Sequence, residues 1–568
     1  MGNRSWMIGG ICLMLLLGGA FGTQDVKAAK LSDRKIVLRV NKKKLLKVKG
    51  TNKKVTWKII SGRKKIALKK RGKRQVIIVA KKRGKAMIVA KAGQKKYICK
   101  VKVKPLSKHQ QDVAALKKLI KQVGKNSMVS DNVKNGWQYK WNSSGRLVEI
   151  NWYDYNVTGD LSFEKFSELK SIGLGGNPVD SIDVSKNKKL EIIHITGSKI
   201  KKMDLSNNKK ITKVIIEGNS QLAKLNLGEK PKLTHLYCNE NNLKKINVNK
   251  CLKLKVFNCR DNPLVSLNLK KNKKLRELIY SGIATLDISK NTALEKMYCK
   301  EIQSVDLSKN LKLKQLSIRE SYMETIFISG LPELEECEIY ENSRLKSIDI
   351  RECDQLYRLY IGSCPLITQL DVSALPILRS LACVDCSLNT IDVSSCNELY
   401  EIYCYGNQLT ELDVKGLDRL DTLNCTDNRI EYLDLSQMTI QDVYCSRNEM
   451  KELKLRNCEC LTRLICDNNR LTVLDVKGCS DLGDLFCQEN RLEHLDLTDC
   501  TSLGYLDCSK NQLTELDVSK NVYLDQIHCE ENLLTSLDLT QNHYMRVEDV
   551  SKGKVSMDET VSVLWGDL

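Results

Sequence analysis

The sequence has few aromatic, histidine and proline residues. Of its 568 residues, 5% are Phe, Trp or Tyr, and it contains 6 His and 7 Pro. The histidines are scattered, and no nucleophile, phosphate loop or metal-ligand spacing accompanies them, so we expect no catalytic residue, no cofactor and no metal. After the apolar run from Met7 to Phe21, no later run is long enough to span a bilayer. With so few aromatic rings, Leu, Ile and Cys must fill any core.

A short unit is repeated many times along the chain. LYEIYCYGNQLTELDVKG at residues 399–416 returns as LGYLDCSKNQLTELDVSK at residues 503–520. The most regular units are 20 or 21 residues apart and share a Cys column: Cys404, Cys425, Cys445, Cys466, Cys487, Cys508 and Cys529. A unit this short cannot bury its own Leu side chains, so neighbouring units must stack. We count eighteen coils, which predicts a β-rich leucine-rich repeat solenoid of parallel stacked strands over residues 171–542.

Each column of the repeat L-x-x-L-x-C-x-x-N has a physical interpretation. The Leu-x-Cys triplet alternates as a strand should, with both apolar residues inward. The Asn that follows comes where the chain turns, and we expect its amide to bond backbone groups that the turn leaves unpaired. This column consists of Asn407, Asn428, Asn448, Asn469, Asn490, Asn511 and Asn532.

An acidic column of outward residues lies in the second half of the coils. It consists of Asp392, Asp413, Asp434, Asp475, Asp496, Asp517 and Asp538. Like charges one coil apart repel, so a counter-ion such as calcium is one interpretation. The neighbouring residues lack the clustered oxygen ligands of a calcium site, and we therefore interpret the column as a solvated charged face.

The N-terminus has the pattern of a secretory signal peptide over residues 1–29. Arg4 precedes the apolar run, and a small-residue cleavage site follows at Ala28. The apolar run is too short and too rich in Gly for a comfortable membrane span, although an uncleaved anchor is the alternative. We therefore expect secretion, and no membrane span after cleavage.

Two further segments flank the repeats. Residues 105–170 contain an amphipathic helix starting near Asp112 and then a hairpin, and we expect them to form a linker and an N-terminal cap. Trp137, Trp141 and Trp152 are expected to pack within that cap. Residues 543–568 break the repeat frame and are expected to close the array as a C-terminal cap or tail.

Cysteine is abundant, with 23 residues in the chain. Stacked strands are about 4.8 Å apart, which places parallel inward Cβ atoms slightly beyond the usual separation for a disulfide. We predict free, buried thiols that act as small apolar fillers. So many thiols in an exported protein indicate an anaerobic or reducing habitat.

Residues 31–104 form a strongly basic block of short β-branched segments separated by Gly. Residues 30–108 hold 31 Lys and Arg against the single acid Asp33, so they carry a charge of +30, whereas the net charge of the whole chain is +25. Short strands between turn signals predict a small β-sandwich. KGTNKKVTWKII and RGKAMIVAKAGQKKYICKVKV, in this order, resemble the bacterial Ig-like domain of group 2, which implies a surface-protein module.

The charge of this block has three interpretations. An anionic cell-wall polymer or lipid head groups would be attracted by Coulomb forces that salt screens. Nucleic acid would also be attracted, but secretion and the lack of interleaved aromatic residues argue against it. A solvated spacer is the third interpretation. We favour the anionic cell-wall polymer and expect no nucleic acid partner.

Units such as LDTLNCTDNRIEYLDLSQ and LDQIHCEENLLTSLDLTQ resemble the 21-residue, cysteine-bearing leucine-rich repeats of internalin J-like surface proteins of Firmicutes. The resemblance covers about 370 residues. It implies a secreted, cell-surface or cell-wall associated, adhesin-like protein of a Gram-positive bacterium with a stacked thiol column. The chain departs from that pattern because it shows no wall-sorting signal and carries the Ig-like block in front.

The outward residue between Leu and Cys is the candidate contact position for a ligand. Six of these positions hold large aromatic residues: Tyr237, Tyr298, Tyr360, Tyr403, Tyr444 and Phe486. Outward aromatic rings are favoured contact residues, but they also stabilise a sheet when they stack across coils. We predict a non-catalytic surface for a protein or glycan ligand. A structural cell-envelope component or self-associating scaffold is the alternative.

Overall fold

The computed structural model of this protein describes residues 28–566. The predicted signal peptide therefore lies outside the described residues, apart from Ala28 and Ala29. The chain divides into two compact units, Met1–Ala114 and Ala115–Leu568, which we describe separately.

The first unit is a small two-sheet β structure. Its strands are β1 (Lys30–Leu31), β2 (Lys35–Arg39), β3 (Lys43–Lys49), β4 (Val55–Ser61), β5 (Ile66–Gly72), β6 (Gln75–Ala80), β7 (Gly84–Ala92) and β8 (Lys95–Lys104). One sheet has the order β1-β3-β6-β5 and the other β2-β8-β7-β4. Residues from both sheets, such as Ile78 and Ile88, share one fully buried cluster. A small β-sandwich therefore precedes the repeats, while its assignment as an Ig-like domain stays a prediction.

Helix α1 (Lys108–Ile120) follows this sandwich. It begins four residues before the predicted start because Ser107 accepts the N–H of Gln110, whose side chain in turn accepts the N–H of Ser107. Leu116 and Leu119 of the helix are buried in the core of the second unit.

The second unit is a β-solenoid of about 18 turns. One long sheet runs through it, and its strands are Tyr139–Trp141, Leu147–Asn151, Ser171–Gly173, Ile192–Thr196, Lys213–Glu217, His235–Tyr237, Val256–Asn258, Glu277–Ser281, Lys296–Lys300, Gln315–Arg319, Glu336–Tyr340, Arg358–Gly362, Ser380–Val384, Glu401–Tyr403, Thr422–Asn424, Asp442–Tyr444, Arg463–Ile465, Asp484–Phe486, Tyr505–Asp507, Gln526–His528 and Val555–Ser556. From Leu147–Asn151 onward the pairing is parallel, whereas Tyr139–Trp141 pairs antiparallel as the predicted hairpin. The predicted fold class is confirmed.

Shorter strands lie on other sides of the coils. They form the pairs Gly159–Ser162 with Val179–Asp183, Lys202–Asp204 with Lys224–Asn226, Thr325–Phe327 with Ser347–Asp349, Ser536–Leu539 with Ser562–Trp565, and the triplet Tyr432–Asp434, Glu452–Lys454 and Val473–Asp475. Residues 543–566 contain the short helix Glu548–Ser551 and add one strand to the long sheet and one to a short pair. This segment therefore continues both layers as one irregular coil.

The hairpin corrects one expectation about the aromatic residues of the N-terminal segment. Trp152 is fully buried, and Trp141 donates a hydrogen bond from Nε1 to the Val133 carbonyl at 2.9 Å. Trp137, however, is 89% exposed, so the prediction that it packs is wrong. It lies just before the first hairpin strand, in a turn whose backbone is held by Asn135 instead.

The Asn column performs the predicted task. The Asn469 amide nitrogen donates to the carbonyls of Cys445, Cys466 and Asp467 at 3.0–3.3 Å, and its oxygen accepts the Met450 N–H at 3.1 Å. The same pattern of bonds holds each of these coils to the one before it, because two of the partners, here Cys445 and Met450, belong to the preceding coil. The interpretation of this column as a turn-bonding position is confirmed.

The second half of several coils contains another buried Asn that bonds backbone carbonyls, such as Asn208 and Asn272, and in one coil Lys230 takes its place. Lys230 is fully buried, and its ammonium donates to the carbonyls of Leu205, Leu227 and Glu229. Burial lowers the pKa of Lys230 to about 8. The Lys230 ammonium therefore donates to backbone carbonyls, as an Asn amide does in other coils.

The acidic column has a role that the sequence interpretation missed. Each of its seven carboxylates accepts the backbone N–H of the residue two positions later, as Asp392 does from Ser394 at 2.9 Å. Hydrogen bonds from the Ser394 side chain and then from its backbone N–H lower the pKa of Asp392. The carboxylates are therefore turn-forming groups, which explains their periodicity without a bound cation.

The cysteines are buried as predicted, with Cys460 the exposed one among those described. The column from Cys404 to Cys529 is fully buried and belongs to the single apolar cluster of the second unit. Their chemical state as free thiols stays a prediction. Among the residues that the structure describes, no helix is long and apolar enough to cross a membrane.

Candidate ligand-binding surface

The six predicted contact residues all lie on the long parallel sheet. Each stands between two buried residues, as Tyr403 does between Ile402 and Cys404, and each is half-buried rather than fully exposed. The same face of one sheet therefore carries all six rings.

Strand register places four of these rings at a regular interval. Tyr360, Tyr403, Tyr444 and Phe486 occupy every second strand. The positions between them hold Ala382, Asn424 and Ile465. Because neighbouring strands are about 4.8 Å apart, successive rings are about 9.6 Å apart. We call these four residues the ring row.

The other two predicted residues lie apart from the ring row. Two positions, Asn258 and Ile279, separate Tyr237 from Tyr298 in the register, and two more, Ser317 and Glu338, separate Tyr298 from Tyr360. None of the six rings therefore has another of the six on an adjacent strand, so they form no ladder among themselves.

The rings find partners in neighbouring columns that the sequence interpretation left out. Phe486 stacks on Tyr505 with ring centres 4.5 Å apart, and Tyr360 contacts Tyr340 at 5.8 Å. Tyr237 stacks with His235 at 6.4 Å. The missed residues stand at the first and last positions of the strands, where an outward side chain leans over its neighbour.

A small aromatic cluster forms around Gly362. A Cβ atom at this position would lie 2.8 Å from the Tyr360 ring and 2.9 Å from the Tyr340 ring, so only glycine lets both rings rest there. The Arg319 guanidinium lies 5.9 Å from the centre of the Tyr340 ring. Burial, followed by the nearby Tyr405, raises the pKa of Tyr360 to about 12, so its hydroxyl is protonated at neutral pH.

A hollow of about 620 Å³ surrounds Tyr298. The Tyr298 hydroxyl donates to Gln315 Oε1 at 3.1 Å, and Lys300 pairs with Glu320 at 2.7 Å on the rim. Its remaining charged lining residues are Arg260, Asp261, Glu277 and Arg319. Both signs of charge are present, so the hollow offers donors and acceptors around one aromatic ring.

Charged residues flank the ring row as well. Arg463, on the strand between those of Tyr444 and Phe486, pairs with Asp484 at 2.7 Å. The Tyr403 hydroxyl donates to Glu401 at 3.3 Å, and burial, followed by Glu401, raises the pKa of Tyr403. The surface is thus an aromatic row with polar margins, which is the usual composition of a recognition surface. In the described part of the chain, no three His, Cys, Asp or Glu side chains come together as a metal site would require.

No family model matches this chain, and no curated protein matches it either. Among solved structures, the chain is similar to the functional domain of InlJ from Listeria monocytogenes, which is described as including a cysteine ladder. The identity is 23% over 70% of each chain, with a TM-score of 0.41.

Two further solved structures are similar in the same way. A leucine-rich repeat protein of Leptospira interrogans is 18% identical over 63% of this chain and 93% of its own, with a TM-score of 0.46. YopM from Yersinia enterocolitica is 18% identical over 68% of this chain and 79% of its own, with a TM-score of 0.45. These values describe a likeness between repeat structures and assign no ligand to this chain.

Proposed function

We propose that this chain is a secreted, adhesin-like repeat protein of a Gram-positive bacterium, whose long sheet binds a protein or glycan ligand without catalysis. The ring row carries this proposal. Half-buried Tyr and Phe side chains offer large contact areas at a small loss of side-chain entropy. Asn bonds such as those of Asn469 fix the strands beneath the row, so the rings are held in place before a ligand arrives.

The cell-surface location rests on the sequence of the N-terminal part. A secretory signal pattern at residues 1–29 supports export, and the resemblance to internalin-like repeats supports display at the surface. The charge of +30 over residues 30–108 supports retention by an anionic cell-wall polymer, since Coulomb attraction requires only accessible Lys and Arg. Retention on isolated cell walls that falls steeply with rising salt is the expected result for this second contact.

A paired substitution tests the ring row. Tyr403→Ala with Tyr444→Ala removes two rings from the row, and Tyr432→Ala with Tyr523→Ala removes two exposed rings from other surfaces of the coils. The parent and both variants are applied to an immobilised array of glycans and purified extracellular proteins. We expect the first variant to lose about tenfold or more in affinity for the bound array members, and the second to retain it.

Thermal unfolding followed by circular dichroism shows whether both variants keep the parental fold. Full binding by a correctly folded Tyr403→Ala/Tyr444→Ala protein would contradict the proposal. Concentration-dependent self-association in light scattering, together with an array that stays empty, would support a self-associating envelope scaffold instead.

A further inference from the structure

The outer face of the sheet β2-β8-β7-β4 carries a dense lattice of cations. From Ile98 to Lys104, β8 alternates between exposed and buried residues, so its buried positions face the core and its other positions face outward. The exposed basic residues of this face are Lys35, Arg39, Lys58, Lys85, Lys91, Lys96, Lys100, Lys102 and Lys104. We call this surface the β8 face.

The register places like charges directly opposite one another on the β8 face. The pairs are Lys35 with Lys100, Arg39 with Lys104, Lys85 with Lys102, and Lys91 with Lys96. Such cross-strand pairs are destabilising when nothing neutralises them. The one acid of residues 30–108, Asp33, lies 3.8 Å from Lys44 on β3 of the other sheet. Residues 30–108 therefore contain no second acid that could neutralise this lattice.

Exposed aliphatic side chains stand among these cations. Val37, Ile60 and Ile98 are 59%, 49% and 50% exposed. All three belong to strands of the β8 face. They are the exposed large apolar side chains of the first unit, as far as the structure describes it. On the opposite sheet the outward apolar residues, such as Leu45 and Ile77, are half-buried. The two faces of the unit therefore differ in exposed apolar surface although both carry many lysines.

The combination distinguishes between two anionic partners. A soluble polyanion is bound by cations alone, and exposed Val and Ile side chains contribute nothing to that attraction. A lipid surface uses both, because cations meet the phosphates of the head groups while aliphatic side chains enter the boundary with the acyl chains. A two-dimensional lattice of cations also matches a layer of head groups better than it matches a single extended chain.

We propose that the β8 face docks on an anionic lipid surface, with its lysines against the head-group phosphates and with Val37, Ile60 and Ile98 inserted between them. This contact goes beyond the cell-wall attraction proposed above, and it rests on the proposed location of the protein at the cell envelope. It requires no membrane-spanning segment.

The test compares three variants of residues 30–568, the chain without its predicted signal peptide. The aliphatic variant is Val37→Thr, Ile60→Thr and Ile98→Thr, which keeps β-branched or β-compatible side chains on the strands. The face variant changes Lys35, Lys85, Lys100 and Lys102 to Gln. The matched control changes four exposed lysines of the other sheet, Lys43, Lys49, Lys69 and Lys70, to Gln, and so removes the same charge.

Each protein is mixed with vesicles of equal parts phosphatidylglycerol and phosphatidylcholine, with phosphatidylcholine vesicles, and with long-chain inorganic polyphosphate. We expect the parent to bind the anionic vesicles, and the aliphatic variant to bind them about tenfold more weakly while binding polyphosphate as before. The face variant should lose more vesicle binding than the matched control. Circular dichroism establishes that each variant is folded.

The outcomes separate this inference from the proposed function. Equal vesicle binding by the parent and the aliphatic variant would overturn lipid docking and leave only the attraction to a cell-wall polymer. Equal losses in the face variant and the matched control would overturn the choice of the β8 face. An absence of binding to both vesicles and polyphosphate would overturn the inference and the proposed wall contact together, whereas ligand binding by the ring row would be unaffected by any of these results.

Discussion

Two stretches of the solenoid form the same turn by different means. In residues 401–528 the strands of the long sheet are three residues long, and an Asn such as Asn469 bonds the turn that follows. In residues 277–384 the strands are five residues long. The turn position there holds Ile283, Ile302, Ser321, Asn342, Cys364 and Cys386. We call these the regular and the irregular stretch.

The turns of the irregular stretch mostly lack the Asn amide and follow longer strands, whereas those of the regular stretch have the amide and follow shorter strands. Where an amide satisfies the turn, the coils repeat at 20 or 21 residues and position the ring row evenly. Where apolar or small residues take its place, the ladder extends by two residues, and the surface becomes uneven enough to form the Tyr298 hollow and the Gly362 cluster. Asn342 shows that the amide alone does not shorten a strand, because its own strand is Glu336–Tyr340.

The largest expected difference between the two stretches appears at alkaline pH. Counted to the last turn position of each stretch, residues 401–532 contain 11 Cys and residues 277–386 contain 6. Burial raises the pKa of Cys425 to about 12 and that of Cys445 well above its usual range. The unfolded chain therefore loses these protons first. The stability they contribute is present below about pH 9 and falls as the pH rises toward 12, by about 1.4 kcal/mol for each pH unit by which the folded pKa exceeds the unfolded pKa.

Pulse labelling with iodoacetamide between pH 8 and pH 11, followed by peptide mapping, checks this prediction. We expect the regular stretch to open and become labelled at a lower pH than the irregular stretch. The exposed Cys460 is the internal control, because it should react throughout the range. Complete labelling of the Cys column in the folded protein at pH 8 would contradict the assignment of buried thiols.

Removal of a turn-bonding side chain should give the next largest effect. Asn469→Ala leaves three carbonyls and one N–H without their side-chain partner, so we expect a loss of about 3 kcal/mol. Ser321→Ala removes only two such bonds, to Ile302 and Arg319, and we expect a loss of about 1 kcal/mol. Hydrogen exchange of the affected coils measures both values, and similar losses at the two positions would show that the stretches do not differ in this way.

Substitution of glycine by alanine should destabilise the irregular stretch but not the regular stretch. Gly362→Ala places a Cβ against the Tyr340 and Tyr360 rings, so we expect a loss of about 1–2 kcal/mol and a displaced cluster. Gly483→Ala in the regular stretch meets only the Thr462 carbonyl at 3.5 Å, and we expect it to be neutral or stabilising by about 0.5 kcal/mol. Urea unfolding of both variants measures these changes. An unchanged free energy of unfolding for Gly362→Ala would show that the two rings can move away from the added Cβ.

Surface ion pairs should give the smallest effect and no difference between the stretches. Arg463→Ala removes the pair with Asp484, and Arg319→Ala removes the pair with Glu338; both pairs are partly exposed. Exposed pairs contribute about 0.2–1 kcal/mol at most, and salt weakens them. Thermal unfolding at low and high salt should therefore show small shifts of similar size, and a large loss for either variant would indicate a structural role that its exposure does not suggest.

Periodicity alone predicted the solenoid, its parallel sheet and the role of the Asn column, because every coil repeats the same turn with the same unpaired backbone groups. The Asp column was interpreted only as a charged face, since a carboxylate looks the same in sequence whether it is solvated or accepts an N–H, as Asp392 does. The role of Lys230 was also missed. The sequence does not show that this lysine is buried or that its ammonium donates to three carbonyls.

The candidate surface could be predicted in part. The column position of Tyr403 and Tyr444 follows from the repeat frame, and so does their shared face. The contact between Tyr340 and Tyr360 depends on the step between two irregular coils and on the missing Cβ of Gly362. The repeat spacing of the regular coils does not predict the spacing between these two irregular coils.

The spacing of the ring row has a consequence for the size of the ligand that we propose for it. A polymer whose repeat is commensurate with two strands, about 9.6 Å, engages a second ring as an intramolecular event once the first is occupied. Avidity should then rise in steps with the number of polymer units, up to the four rings from Tyr360 to Phe486. A monomeric fragment of the same polymer would bind weakly, so the surface would discriminate chains by length as well as by chemistry.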